Sequence, residues 1–296
     1  MQTKVSRDAM GKGIDACFGT RDPSRAIKLL LATNLIDVIF PLGDYKVPTP
    51  VQVTVFLAGL DSLSRVQTLA SRIYANEVEW DETRRRHLFY ASFLKPLYEL
   101  CDDSLLNGTS KRDRKQTPFH RLLAEGLRLP KTDAKSIEVL LRSSIDLRDL
   151  IGGTDVTNSS LSDQEKCELR WRFWKALRPL GSLWKESLLF SLTCLPMPLS
   201  VAVDKYARLT DMIENELDLD SQLLDGRCKI QPILSGSQIQ KQVLPGMQGK
   251  AFQEVLLAQE EWQIRHGRHL PDNDVVAFDV ESQLVDHLQS IFPQYK

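Results

Sequence analysis

Cysteine is scarce in this chain and widely scattered. Cys17, Cys101, Cys167, Cys194 and Cys228 are five in number and form no C-x-x-C pair, so neither a disulfide framework nor a zinc cage fits and a reducing compartment is expected. Long apolar runs are missing too. No segment reaches the roughly 20 residues of a membrane span, and the N-terminus lacks the charged-then-apolar layout of a secretory signal. A soluble, intracellular protein with no membrane partner is expected, with cytosol, nucleus and mitochondrion left open. There is also no charge excess: a formal net charge of -1 supplies no global field toward a polyanion, which leaves only local patches. Alternating strand patterns are almost absent, and no repeat of solenoid length occurs.

What is present suffices for a core. Hydrophobic residues make up 42% and charged residues 26% of the 296 positions, near the soluble globular average. A chain of this length buries roughly three quarters of its unfolded surface as one large domain or two smaller ones. Helical periodicity dominates. Asp22 before Pro23 is an N-cap followed by a first-turn proline, with Ala26, Leu29, Leu30 and Thr33 behind it. Ser162-Asp163-Gln164-Glu165 spells a capping box, followed by an apolar row of Leu169, Phe173 and Leu177. Val280, Leu284, Val285, Leu288, Ile291 and Phe292 share one helical face. Further helices are expected near 50–75, 82–101, 133–151, 180–194, 198–223 and 247–266. Residues 103–118 read as a basic loop. A second break at Leu224–Pro245, punctuated by Gly226, Pro232, Gly236 and Pro245, is a soft domain boundary.

Cations are concentrated at Arg84-Arg85-Arg86, at Lys111-Arg112-Asp113-Arg114-Lys115, and at Arg170-Trp171-Arg172-Phe173-Trp174-Lys175. Such runs are first of all solvated faces, and only secondarily RNA-binding patches. Trp171, Trp174 and Trp184 interleave with the last run as an aromatic-basic surface would, but their spacing suits a helix face packed into a core. His266, His269 and Asp272 lack a further strong ligand at fixed spacing, so a solvated helix end is expected there rather than a metal site.

Ordered motifs add to this reading. Lys4-Val5-Ser6-Arg7-Asp8-Ala9-Met10-Gly11 is followed by Asp22-Pro23-Ser24-Arg25-Ala26-Ile27 and by Leu35-Ile36-Asp37-Val38-Ile39-Phe40-Pro41. Toward the other end come Pro232-Ile233-Leu234-Ser235-Gly236-Ser237-Gln238-Ile239, Leu244-Pro245-Gly246, Gly249-Lys250 and Glu261-Trp262-Gln263. In order and spacing this succession resembles the CCA-adding tRNA nucleotidyltransferases, of the eukaryotic type within the poly(A) polymerase family. The resemblance implies an all-α, elongated multi-helix array. Residues 1–45 would be a remnant of the neck helices, 46–224 a helical body and 225–296 a helical tail, with the catalytic head sheet absent.

The family's head carries a G-G-x-V-R-D turn, a D-x-D metal pair, an R-R-D element and an E-D-x-x-R stretch, and none of them occurs here. Two carboxylates are needed because two-metal phosphoryl transfer clamps both the attacking and the leaving oxygen. No cofactor is therefore expected in this chain; Mg2+ and CTP or ATP enter only with a complete head. Asp218-Leu219-Asp220 has the D-x-D spelling but lies in Ile213–Leu224, whose apolar spacing is helical, and residues two apart on a helix point away from one another. In the neck motif, Ser6, Arg7 and Asp8 are the residual nucleotide-positioning candidates. Asp8 stands where the family has glutamate, Ala9 where it has a cation, and Gly13 where it has a later acid.

By the same resemblance, body and tail hold the acceptor stem and T arm of tRNA, and a separate catalytic chain is the second partner to consider. A-form RNA is recognised through phosphates, 2′-hydroxyls and shape, which suits cations on rigid helices. Gly246, Gly249 and Lys250 form a candidate phosphate contact, with an ordinary helix-to-helix turn as the alternative. Ser235, Gly236 and Lys241 form a second, with simple capping as the alternative. Because the resemblance starts in mid-motif, a truncated piece of an active nucleotidyltransferase is expected. A stand-alone tRNA-binding protein and a helical scaffold without RNA binding remain as alternatives, and whether the parent enzyme adds CCA or only part of it is open.

Overall fold

The computed structural model describes residues 6–41, 49–75, 80–104, 119, 122–153, 161–217, 219, 232–245, 247–266 and 274–295. Among the described residues all regular structure is helical and no strand occurs, so the all-α expectation holds. The α-helices are α1 (Arg7–Gly19), α2 (Pro23–Ala32), α3 (Ile36–Ile39), α4 (Thr49–Ile73), α5 (Glu82–Ser104), α6 (Lys131–Gly153), α7 (Asp163–Leu177), α8 (Trp184–Thr193), α9 (Leu199–Asp211), α10 (Gly236–Gln238), α11 (Gly249–His266) and α12 (Asp274–Ile291). They group into two compact units, each discontinuous in sequence. The first comprises Met1–Thr154 and Leu183–Ala207, the second Asp155–Ser182 and Arg208–Lys296.

In the first unit α5 is the central helix, contacted by α1, α4, α6 and α8. Its seven residues from Leu88 to Leu94 are each at most 2% exposed, and a helix apolar on all sides has to be surrounded. Phe18 of α1 stacks on Tyr90 with centroids 3.9 Å apart, while Phe40 and Phe56 flank Phe93. Glycine sets the closest approach: a Cβ on Gly59 would lie 2.3 Å from the Phe93 carbonyl oxygen, so α4 and α5 meet backbone to backbone there. Pro23 starts α2 after the Asp22 cap as expected. The buried face of α2 differs from the expected one, however. Ser24 and Ile27 are buried, and Leu29 is 64% exposed. Where α2 meets α1 and α4 decides this, and periodicity within ten residues cannot choose between adjacent faces.

In the second unit α7 opens with the expected capping box, Ser162 and Glu165 each satisfying the other's backbone. Phe173 and Leu177 are buried and Leu169 is half-buried. α7 packs on α11, where Trp174 Nε1 donates to Glu260 Oε1 at 3.2 Å and Arg265 pairs with Glu168. A tail core of Ile233, Leu234, Ile239, Val243, Leu244, Met247, Val255, Trp262, Val280, Leu284 and Leu288 holds the C-terminal helices together. Val280, Leu284 and Leu288 of the predicted α12 face are buried, Val285 and Phe292 pack at its margin, and Ile291 is exposed.

One helix is shorter than expected. The segment predicted to run from 198 to 223 is α-helical only over Leu199–Asp211 and finishes in a π-helical turn at Met212–Glu216. Leu217 N donates to Met212 O and Leu219 N to Ile213 O, folding the chain back so that both leucines are buried. The helix expected through Ile213–Leu224 thus stops before the D-x-D spelling. Asp218 and Asp220 lie outside the described residues, as do the basic stretch 105–118 and Gly226.

Candidate nucleic-acid interface

The tail segment bearing Ser235, Gly236 and Lys241 is built by local capping. Ser235 is the N-cap of α10: its Oγ accepts from Gln238 N, and its own N–H donates to Gln238 Oε1 at 2.8 Å. The hydroxyl is thereby committed within the chain. Gly236 is similarly occupied by an internal neighbour, since a Cβ there would meet the Phe252 ring at 3.1 Å. Behind it, Gln259 of α11 grips Leu234 at both backbone groups, Oε1 accepting from the N–H at 3.0 Å and Nε2 donating to the carbonyl at 3.2 Å.

Lys241 stands in a π-helical turn at Ile239–Val243, whose inward side chains Ile239 and Val243 are buried while positions 240 to 242 face outward. Gln240 Nε2 donates to Met247 O at 3.3 Å, joining this turn to the one that precedes α11. There Gly249 has φ of +62°, a left-handed conformation that costs a residue with a Cβ about 1 kcal/mol or more. Nothing lies within 4 Å of the position a Cβ would take. Lys250 follows in the first turn of α11. Lys241 and Lys250 are both exposed, and among the described residues neither pairs with a carboxylate. The structure therefore brings Ser235, Gly236, Lys241, Gly249 and Lys250 into one packed assembly; Gly246 lies outside the described residues.

Charge in this assembly is not dominantly positive. Residues 232 to 296 carry five Lys or Arg against eight Asp or Glu, so long-range attraction of a polyanion is weak and contact depends on individual side chains.

Among the described residues, several arginines of the other cation runs are used internally. Arg85 Nη2 donates to Gly19 O at 2.6 Å. Arg86 bridges Asp15 Oδ2 at 2.8 Å and Asp133 Oδ2 at 2.6 Å. Arg170 donates from Nε to Leu217 O and from Nη1 to Arg265 O, and Arg178 pairs with Glu260. Arg172 and Lys175 remain exposed, with the Lys175 ammonium 5.4 Å from the Trp171 ring. Trp174 and Trp184 are buried, each in a different unit, so the core reading of those tryptophans holds. Ser6 caps α1 through Ala9 N at 3.2 Å, Arg7 Nη1 donates to Val38 O at 2.6 Å, and Asp8 pairs with Lys12 at 3.0 Å.

Sequence reasoning missed a cluster of buried and half-buried ionisable groups between α1, α5 and α6. His87 Nε2 lies 3.3 Å from Asp133 Oδ1, and the buried Tyr90 hydroxyl sits beside Asp15. Burial pushes the Asp15 carboxyl up against the pull of Arg86, holds His87 below its ordinary value, and drives the Tyr90 hydroxyl well above the usual range. The adjacency of Arg86 and His87 inside an apolar helix was the available signal; their partners are 46 or more positions away.

His266 Nδ1 lies 2.8 Å from the Trp262 carbonyl, while His269 and Asp272 lie outside the described residues. Among the described residues no three His, Cys, Asp or Glu side chains converge as a metal site, and no helix is long and apolar enough to cross a membrane. Compared with known proteins, the chain matches no family model, no curated sequence and no solved structure.

Proposed function

We propose that this chain is the tRNA-binding C-terminal part of a CCA-adding tRNA nucleotidyltransferase. In that reading it holds the acceptor stem and T arm, while nucleotidyl transfer is done by metal-binding carboxylates on another polypeptide segment. The ordered motifs and the all-α architecture support it. The observation that carries it is the pair Lys241 and Lys250: both are exposed and lack a carboxylate partner among the described residues. Their turns are joined through Gln240 and Met247. Cations set on rigid turns are what a sequence-independent grip on A-form phosphates requires. No described cluster fits the Mg2+ pair of the complete enzyme, so no step is assigned to it here.

Fluorescence anisotropy with tRNA ending before its CCA tests the reading. Binding in the micromolar range or weaker, lost with rising salt and weakened by Lys241→Glu with Lys250→Glu, is expected. Labelled CTP and ATP are not expected to be incorporated by the chain alone. The internal use of Arg85, Arg86, Arg170 and Arg178 favours a second reading, a helical scaffold. Absence of salt-sensitive tRNA binding would select it.

A further inference from the structure

The first unit contains a polar cavity of about 370 Å3, lined by Arg21, Gln67, Ser71, Tyr74, Trp80 and Arg85. None of its lining residues is among those assigned above to RNA. Two of its lining residues are arginines, and among the described residues no aspartate or glutamate lines it.

Arg85 is held in place before any ligand arrives. Its Nη2 is tied to the Gly19 carbonyl at 2.6 Å, and its Cζ lies 5.8 Å from the centroid of the Trp80 ring. That ring stacks on Tyr74 with centroids 4.6 Å apart, and Tyr74 is tied in turn to the Tyr206 hydroxyl at 3.2 Å. The Arg85 Nε is buried without a hydrogen-bond partner, and no described residue forms an ion pair with this side chain. A half-buried cation without a counter-charge is unfavourable, and a bound anion relieves it.

The Arg21 backbone is held at the same cavity by Gln67, whose Nε2 donates to the Arg21 carbonyl at 3.2 Å and to Asp22 Oδ1 at 3.1 Å. The neighbouring Asp22 carboxylate is engaged elsewhere, accepting from Ser24, Gln67 and Arg25 N as the cap of α2. It leaves Arg21 available.

We infer that this cavity is a binding site for the phosphate group of a small phosphomonoester, gripped between Arg21 and Arg85. Guanidinium forks match phosphate oxygens in geometry, and the volume falls within the roughly 300–1,000 Å3 of small-molecule sites, larger than a bare ion needs. The inference is independent of the tRNA reading, because neither Lys241 nor Lys250 takes part.

Calorimetric titration of the full chain with ribose 5-phosphate, with ribose as the neutral control, tests it. Ribose 5-phosphate is expected to bind and ribose not to. Arg21→Ala, which removes no internal hydrogen bond described here, is expected to weaken binding roughly tenfold or more. Arg85→Lys keeps the charge but loses the fork and is expected to weaken it as well, with thermal unfolding of both unliganded variants confirming that they fold. Absence of ribose 5-phosphate binding to the wild type, or equal binding by folded wild type and Arg21→Ala, would overturn the inference. So would an effect of Arg21→Ala on duplex RNA alone, which would assign these arginines to a phosphodiester backbone.

Discussion

Arg86 and Asp133, 47 positions apart, share a 2.6 Å hydrogen bond in which Nη2 donates to Oδ2. The same guanidinium also reaches Asp15, so one side chain joins three helices of the first unit. Removing one member leaves the others half-buried without compensation. Arg86→Met is expected to destabilise the fold by about 3 kcal/mol, read as a lower urea midpoint at unchanged slope. A loss below about 0.5 kcal/mol would mean that water replaces the guanidinium at little cost.

The close approach of α4 and α5 yields a second expectation. Gly59→Ala places a methyl 2.3 Å from the Phe93 carbonyl oxygen, which forces the helices apart at a packed site. A loss of about 1–3 kcal/mol is expected. Gly13→Ala, with nothing within 4 Å of the new Cβ in the middle of α1, is expected to be neutral or slightly stabilising. Chemical unfolding of the two variants side by side checks the contrast.

His87 makes stability depend on pH. Burial holds its folded pKa below the ordinary value, so the folded state takes up a proton less readily than the unfolded chain. The associated stability is complete above the unfolded pKa of about 6.5 and is lost as pH falls through the lower folded value. His287 has the same sign. Asp15, with its folded pKa raised, has the opposite sign: its contribution is full below the ordinary carboxyl value and is lost as pH rises through the folded one. Between about pH 7.5 and pH 6 the urea midpoint is therefore expected to fall, and His87→Gln to reduce that fall. An identical pH dependence in wild type and variant would rule His87 out as its origin.

Gly249 separates a backbone role from an RNA-contact role. With φ at +62° and open space around it, Gly249→Ala is expected to cost about 1 kcal/mol through backbone strain, and Gly249→Asn less. At a temperature where all three are fully folded, equal tRNA affinity would confine the glycine to conformation. A loss for both variants would indicate close approach of an RNA backbone.

Salt dependence counts the contacts at the tail. If Lys241 and Lys250 each meet one phosphate, log affinity for tRNA is expected to fall against log salt with a slope shallower by roughly 1.5 in the double charge-reversal variant. An unchanged slope would place the contacts elsewhere.

Local chemistry made much of the helical content readable from the residues alone. Asp22 with Pro23, and Ser162 with Glu165, mark helix starts because a cap bonds to backbone groups two or three positions away. The cap of Ser235 and the core positions of Trp174 and Trp184 were readable for similar reasons of spacing. Only tertiary structure decided that α2 buries Ile27 and exposes Leu29. It also decided that Gly236 meets Phe252, and that the helix after Asp211 ends in a turn folding Leu219 inward. The same holds for Arg86 and Arg170, which spend their charge and donors on partners 47 to 95 positions away. A run of arginines looks the same on paper whether it faces solvent or buried carboxylates, because burial and pairing are properties of the neighbours that folding brings in and not of the run itself.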